Sequence, residues 1–251
     1  KTDLDDFTAV SDKIDIVYED ENILLVDKPV GMVVHEDESG DSDTLINRIK
    51  SYLYHKGEYH PENELSFAPA LCNRIDRNTC GIVIAAKNAE SLRILNQKIR
   101  DRELTKLYLC IACGKVTPDS ATLTAYLEKN SDTNTVKISD KKTKSNLTIK
   151  TKYKVIAYNG ENSLLKVDLL TGRTHQIRAH LAYIGHALLG DGKYGNNKLN
   201  KKYGFKYQAL CSYELQFKFT TDAGCLSYLD GKCFKAKAPD FVKMFGSNIK
   251  L

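Results

Sequence analysis

The sequence predicts a single α+β domain with a mixed, largely antiparallel central sheet flanked by helices and loops. Three observations point there. Short apolar runs of strand length recur between turns rich in Gly, Pro and Asn. Amphipathic helical stretches are few and follow no repeating strand–helix–strand alternation. No G-x-G-x-x-G or phosphate-loop motif opens any of them. At 251 residues, 42% hydrophobic and 27% charged, the chain can close a substantial core and lacks the composition of a disordered one.

The elements follow in order. Residues 1–14 are polar and aperiodic and read as a linker or N-terminal extension, leaving 15–251 as the domain. Ile14–Asp20 is strand-like, Glu21-Asn22 a turn, and Ile23–Val26 a buried strand stopped by Asp27-Lys28-Pro29-Val30-Gly31. Leu45, Ile49 and Leu53 share one face of a helix over Asp43–Tyr54. A polar loop (56–64) leads to Ala68–Cys80, and Gly81–Ala86 is an apolar strand. Asn88 caps a helix running to about Glu103, with Leu92, Leu95 and Ile99 as its core stripe. Lys106–Ala112 alternates as a strand, several short strands lie between Leu123 and Val167, and Leu164–Leu170 is another. A helix is expected over Thr174–Ile184, closed by Gly185, before a strand-rich stretch from Ala209 to Asp230.

Composition bounds the function. No run of about 18 apolar residues exists, so no membrane partner is expected. The seven cysteines are odd in number and scattered, which suits reduced thiols in a cytoplasmic protein better than a disulfide framework. Cys110-Ile-Ala-Cys113 has metal-ligand spacing, but no second pair accompanies it and its surroundings alternate like a strand, so no metal is expected. The net charge of +5 permits nucleic-acid binding without demanding it. Acid is concentrated at 36–43, and base at Lys137–Lys154 and Lys193–Lys206. Such runs ordinarily form solvated faces and gain meaning only beside a site.

Three segments set polar chemistry against apolar strands. In Asn73-Arg74-Ile75-Asp76-Arg77-Asn78-Thr79-Cys80-Gly81, two arginines favour the ionised form of Asp76, suiting it to act as nucleophile or base; the bland alternative is a loop ion-pair network. In Lys106-Leu107-Tyr108, Tyr108 can stack on a base or serve through its hydroxyl, or simply fill a strand position. In Leu170–His180, helical spacing puts Thr174 with Arg178 and Gln176 with His180, while the helix start near Gly172-Arg173 offers amides to an anion. His175 and His180 fall on different sides of such a helix, which argues for packing and capping over metal binding.

Together these segments resemble the RluA-type RNA pseudouridine synthases. The Asn73–Gly81 segment followed by Ala86-Lys87 is similar to the family's signature. Asp27–His35, Lys106-Leu107-Tyr108, and Thr171–His180 continuing to Gly190-Asp191-Gly192-Lys193-Tyr194 match in order. Asn73 stands where the family usually has His, and Cys80 where it has Ser. The resemblance implies a catalytic domain around an RNA-binding cleft that converts uridine in RNA to pseudouridine without metal or organic cofactor. Large-subunit ribosomal RNA is the first expectation for its substrate and transfer RNA the second, with the protein a cytoplasmic monomer.

The resemblance also implies the site. Asp76 is the catalytic carboxylate, attacking C1′ or deprotonating C2′ of a flipped uridine. Arg178 pairs with it, and Tyr108 stacks on the uracil. Arg74, Arg77, Arg173, His175 and Lys193 bind RNA. A non-catalytic RNA-binding or ribosome-assembly protein on the same fold is the alternative, as is a tRNA-directed synthase. Intact Asp76, Tyr108 and Arg178 favour the enzyme. A carboxylate-pair glycosidase fits poorly, since the strongest segment supplies one carboxylate where that chemistry needs two.

Overall fold

The computed structural model describes residues 7–37, 40–63 and 65–251. By packing, the chain divides into two compact units. The first is Lys1–Thr105 with Glu214–Lys237, the second Lys106–Tyr213 with Ala238–Leu251. Each mixes helices with antiparallel strand pairs, the α+β class expected.

In the first unit β1 (Asp15–Glu19) and β2 (Ile23–Lys28) form a hairpin, and β2 pairs on its other edge with β4 (Cys80–Ala86). The two-residue β3 (Ala70–Leu71) also pairs with β4. Helix α1 (Leu45–Lys56) is capped by the Thr44 hydroxyl and stopped by Gly57 in the left-handed region. Leu45, Ile49 and Leu53 line the face it buries against Leu24, Val26 and Val83. Phe7 is fully buried against Tyr54 and Tyr59, so the core begins inside the stretch read as a linker. The rest of that stretch, residues 1–6, lies outside the described residues, as do Glu38 and Ser39 of the acidic run and Glu64 of the polar loop.

Helix α2 (Ala89–Arg100) is capped by Asn88 as expected, but its buried face is Ser91, Ile94, Leu95 and Lys98, a rotation away from Leu92 and Ile99. The cause is an ion pair. Lys98, with no exposed surface, donates to Glu103 Oε2 at 2.8 Å and to the Thr221 hydroxyl at 2.6 Å. A buried cation with a carboxylate and a hydroxyl can occupy a core position that hydropathy assigns to a leucine. β10 (Leu210–Phe217) contributes Glu214–Phe217 to this unit, and Glu214–Gln216 pair with β11 (Cys233–Lys235). Between them, within the stretch read as strand-rich, Gly224–Leu229 is a 3-10 helix that buries its Leu226 and Leu229.

The second unit is built on five antiparallel strands in the order β5 (Leu104–Cys113, from Lys106), β9 (Asn162–Leu169), β8 (Leu147–Tyr158), β6 (Ser120–Asn130) and β7 (Thr135–Ser139). Helix α3 (Gln176–Tyr183) lies on one face, its Ile177 and Leu181 packed with Tyr108, Cys110, Tyr153, Leu165 and Val167. Ala179 meets Ala125, Leu127, Val136 and Ile149 on the same side. A short α4 (Asn197–Lys202) follows, and Phe205, Phe241, Met244 and Phe245 close a smaller cluster on Ile111 and Leu189. Cys110 and Cys113 are strand-borne free thiols, as the alternation around them implies.

Candidate active site

The expected site residues fall in both units. In the first, Asp76 stands half-buried on the loop joining β3 to β4, flanked by exposed Arg74 and Arg77. That loop is anchored through its neighbours. Ile75 packs into the core, and the Thr79 amide donates to the Asp76 carbonyl at 3.0 Å. The Asn73 Oδ1 accepts from the Ile84 amide at 2.8 Å, leaving the buried Asn73 Nδ2 without a partner among the described residues. Arg77 reaches Asp37 at 3.0 Å.

The strongest fixture is one to which the sequence gives no role. Lys28, wholly buried at the end of β2, donates from Nζ to the carbonyls of Pro29 at 2.8 Å, Met32 at 2.7 Å and Arg77 at 2.9 Å. Gly31, at φ +91°, adds its own amide to the Arg77 carbonyl at 2.9 Å. Asp27–Gly31 is therefore a bracket that locks the residue next to Asp76 by its backbone. Burial pushes the Lys28 ammonium down to about 8, against the opposing charges of Cys80 and Asp76. A lysine here supplies three donors that tie the carbonyls of its own turn to that of Arg77, which explains its place beside the turn.

In the second unit Tyr108 is a buried side chain on β5, opposite Val167. Helix α3 begins two residues later than expected. His175, at φ +52°, takes the N-cap position without a side-chain cap, and Thr174 lies outside the helix. Thr174 and Arg178 therefore do not share a helical face. The loop before the helix is held by Gln176. Its Oε1 accepts from the Thr171 hydroxyl at 2.9 Å and the Arg173 amide at 3.2 Å, so that amide is spoken for within the chain. Its Nε2 donates to Thr151 Oγ1 at 3.0 Å, which also meets His180 Nδ1 at 2.8 Å. Gln176 and His180 thus share a face as expected, and their shared partner is Thr151. The left-handed His175 costs backbone energy, and its ring is braced by the Tyr194 hydroxyl at 2.8 Å.

Arg178 has a carboxylate partner in its own unit. Its Nε and Nη2 make a two-pronged contact with Asp191 at 2.7 and 3.0 Å, and the Tyr194 ring lies 5.3 Å from its guanidinium carbon. Asp191 is wholly buried, and its Oδ1 also accepts the amides of Lys193 and Tyr194. Burial raises its carboxyl, but the Arg178 hydrogen bonds and charge, with those amides, more than reverse this and hold it below the usual range. The Gly190–Tyr194 turn that carries Asp191 is tight: a Cβ on Gly190 (φ +83°) would sit 1.9 Å from the Tyr207 carbonyl. Lys193, expected to bind RNA, donates from Nζ to the Asn134 carbonyl at 2.8 Å. Arg173 is exposed.

Burial pushes the His180 imidazole from 6.5 down to about 4, so it folds neutral. Below pH 6.5 the unfolded chain binds a proton that the folded chain refuses. The stability held above that pH is therefore lost as pH falls towards 4. We expect urea unfolding at pH 7 and pH 4.5 to show a loss of roughly 2 kcal/mol from this group in the native protein. A His180→Gln variant should lack that part of the loss; an identical pH dependence would mean that another group carries it.

Comparison with known proteins bears on this arrangement. The family model described as RNA pseudouridylate synthase matches residues 22–183. The chain is 38% identical, over 83% of its length and 64% of the other, to an uncharacterized RNA pseudouridine synthase of Mycoplasma genitalium. It is 34% identical, over 72% of its length and 55% of the other, to ribosomal large subunit pseudouridine synthase D of Borreliella burgdorferi. The chain thus spans a little over half to about two thirds of these relatives. In fold it is similar to human RNA pseudouridylate synthase domain containing 4, with TM-score 0.71, 19% identity and coverage of 92% and 90% of the two chains. It is likewise similar to human RNA pseudouridylate synthase domain containing 1, with TM-score 0.69, 21% identity and coverage of 91% and 84%.

Proposed function

The chain belongs to the RNA pseudouridylate synthase family, and on that premise we propose that it isomerises uridine in RNA to pseudouridine with Asp76 as the catalytic carboxylate. The supporting observation is the Asp76 loop. It is bracketed by Lys28 and Gly31 through the Arg77 backbone, so the carboxylate's position does not rest on its own charge. Preorganised placement of one reacting group is what a reaction on a flipped nucleotide requires.

In the proposed reaction the C1′–N1 bond of uridine breaks, the uracil turns, and C5 bonds to C1′ as its proton leaves. Asp76 acts in the ionised form, at C1′ or on the C2′ proton. Tyr108 stacks on the uracil and Arg178 serves as counter-charge to Asp76. Arg74, Arg77, Arg173, His175 and Lys193 contact the RNA. Large-subunit ribosomal RNA is the substrate favoured by the kinship with synthase D, with transfer RNA second. Seven free thiols suit a reducing cytoplasm, where we place the protein as a monomer.

The test is tritium release from C5-labelled uridine in bulk RNA, together with pseudouridine mapping of RNA from cells with and without the protein. At least one ribosomal uridine should stay unmodified in its absence. RNA binding without tritium release would reduce the protein to a binder.

A further inference from the structure

The second unit has a face that the proposed reaction does not use. Along β8 the side chains alternate strictly: Ile149, Thr151 and Tyr153 are buried towards α3, while Lys150, Lys152 and Lys154 are exposed on the other side. The same alternation holds on β6, where Ser120, Thr122 and Thr124 stand opposite Lys154, Lys152 and Lys150. On β9, Lys166 stands opposite Lys154 and Asp168 opposite Lys152. On β7, Lys137 stands opposite Glu128. The face therefore carries five lysines and two carboxylates, one opposite Lys152 and one opposite Lys137. Tyr108 belongs to the other side of the sheet, since it lies opposite Val167 and packs with Tyr153 and Ile177 beside Arg178's helix.

Two features make this more than a solvated face. Lys154 and Lys166 share one register position across the β8–β9 pair, which brings two ammonium-bearing side chains together on this face. The β6 residues opposite the three lysines are Ser and Thr, where glutamates would have neutralised them. Along its β6 edge the row therefore meets hydroxyls, which leave the charge of Lys150, Lys152 and Lys154 available to an anionic ligand. Residues two apart on a strand are about 7 Å apart, so the three lysines form a row able to follow a chain of anionic groups. The row ends beside the loop that carries Arg173: the Lys150 amide donates to the Thr171 hydroxyl at 2.8 Å, and the Leu170 amide to the Lys150 carbonyl at 3.2 Å.

We infer that Lys150, Lys152 and Lys154, with Lys166, form a second RNA-docking face that holds the phosphate backbone of the substrate on the side of the sheet opposite Tyr108. The inference rests on the reading of the protein as an enzyme acting on RNA. Phosphate contacts of this kind position without reading sequence, and they make binding salt-dependent. RNA extending past the Arg173 loop would continue onto the lysine row, so the face serves long structured substrates.

The test is filter binding of a large-subunit ribosomal RNA transcript across a series of KCl concentrations. It compares the full chain with the triple variant Lys150→Gln, Lys152→Gln, Lys154→Gln. A charge-matched variant, Lys218→Gln, Lys232→Gln, Lys250→Gln, serves as control. Loss of three phosphate contacts should flatten the slope of log affinity against log salt by about 2 to 3. It should also weaken binding at about 0.1 M KCl at least tenfold. Melting temperature should hold, because the Lys150 contacts to Thr171 are made by backbone. An unchanged slope in the triple variant overturns the inference, as does an equal change in the control, which would reduce the effect to net charge. Polyglutamate that binds the native face while RNA affinity survives in the triple variant would assign the face to an acidic protein and also overturn it. Since the slope is read from binding alone, failure of tritium release leaves it intact, and the two readings fall separately.

Discussion

Asp76→Asn is expected to abolish pseudouridine formation while leaving the protein folded and able to bind RNA. The substitution keeps the shape of the side chain and removes its negative charge, so it addresses the proposed chemistry and little else. Neither nucleophilic attack nor proton abstraction is open to a neutral amide, and the loss in turnover should be at least on the order of 10³-fold. That corresponds to about 4 kcal/mol of transition-state stabilisation. The loop should survive because its fixtures are elsewhere: the Arg77 carbonyl held by Lys28 and Gly31, the Thr79 amide on the Asp76 backbone, and Ile75 in the core. Tritium release and filter binding on one preparation separate the two effects. Normal turnover in the variant would remove Asp76 from the mechanism. Loss of both turnover and RNA binding would show instead that the charge organises the surface.

Much of this arrangement is legible in the sequence where a local pattern determines it. The hairpin of β1 and β2, both long helices with the Asn88 cap of the second, and the strand nature of Cys110–Cys113 follow from periodicity and capping chemistry. What escapes is set by partners distant in sequence. The α2 stripe turns because Lys98 finds Glu103 and Thr221, and no hydropathy pattern anticipates a buried lysine. Phe7 is a lone aromatic in a polar stretch until Tyr54 and Tyr59 meet it. At the site, Lys28 and Asp191 lie inside recognisable motifs yet carry no role in a sequence reading, because their function is to hold other residues. A charged residue within a Lys-Pro-x-Gly or Gly-Asp-Gly turn is the available signal. Glycine forces a backbone shape there, and the charge beside it is what that shape presents.

The largest structural effect is expected at Asp191. Replacing it with Asn leaves the buried Arg178 guanidinium facing a neutral amide, half of which is itself a donor, and deprives the Lys193 and Tyr194 amides of a charged acceptor. Breaking a buried ion pair from one side costs about 3–5 kcal/mol, a large share of the roughly 5–15 kcal/mol that keeps a typical protein folded. For a chain of this size the melting temperature should fall by roughly 10 °C. Activity should fall as well, because Arg178 is held in place by the pair. The loss by itself does not separate positioning from stability, and the double variant Arg178→Met, Asp191→Leu does. Removing both charges and filling the space with apolar side chains should restore most of the melting temperature, since a buried pair is costly to break yet seldom better than hydrophobic packing. Turnover should stay low, because the guanidinium proposed to oppose Asp76 is gone. A double variant that regains stability and turnover together would make Arg178 and Asp191 a purely structural pair and would end Arg178's part in catalysis. Stability without turnover would establish that the pair exists to hold a working arginine in place.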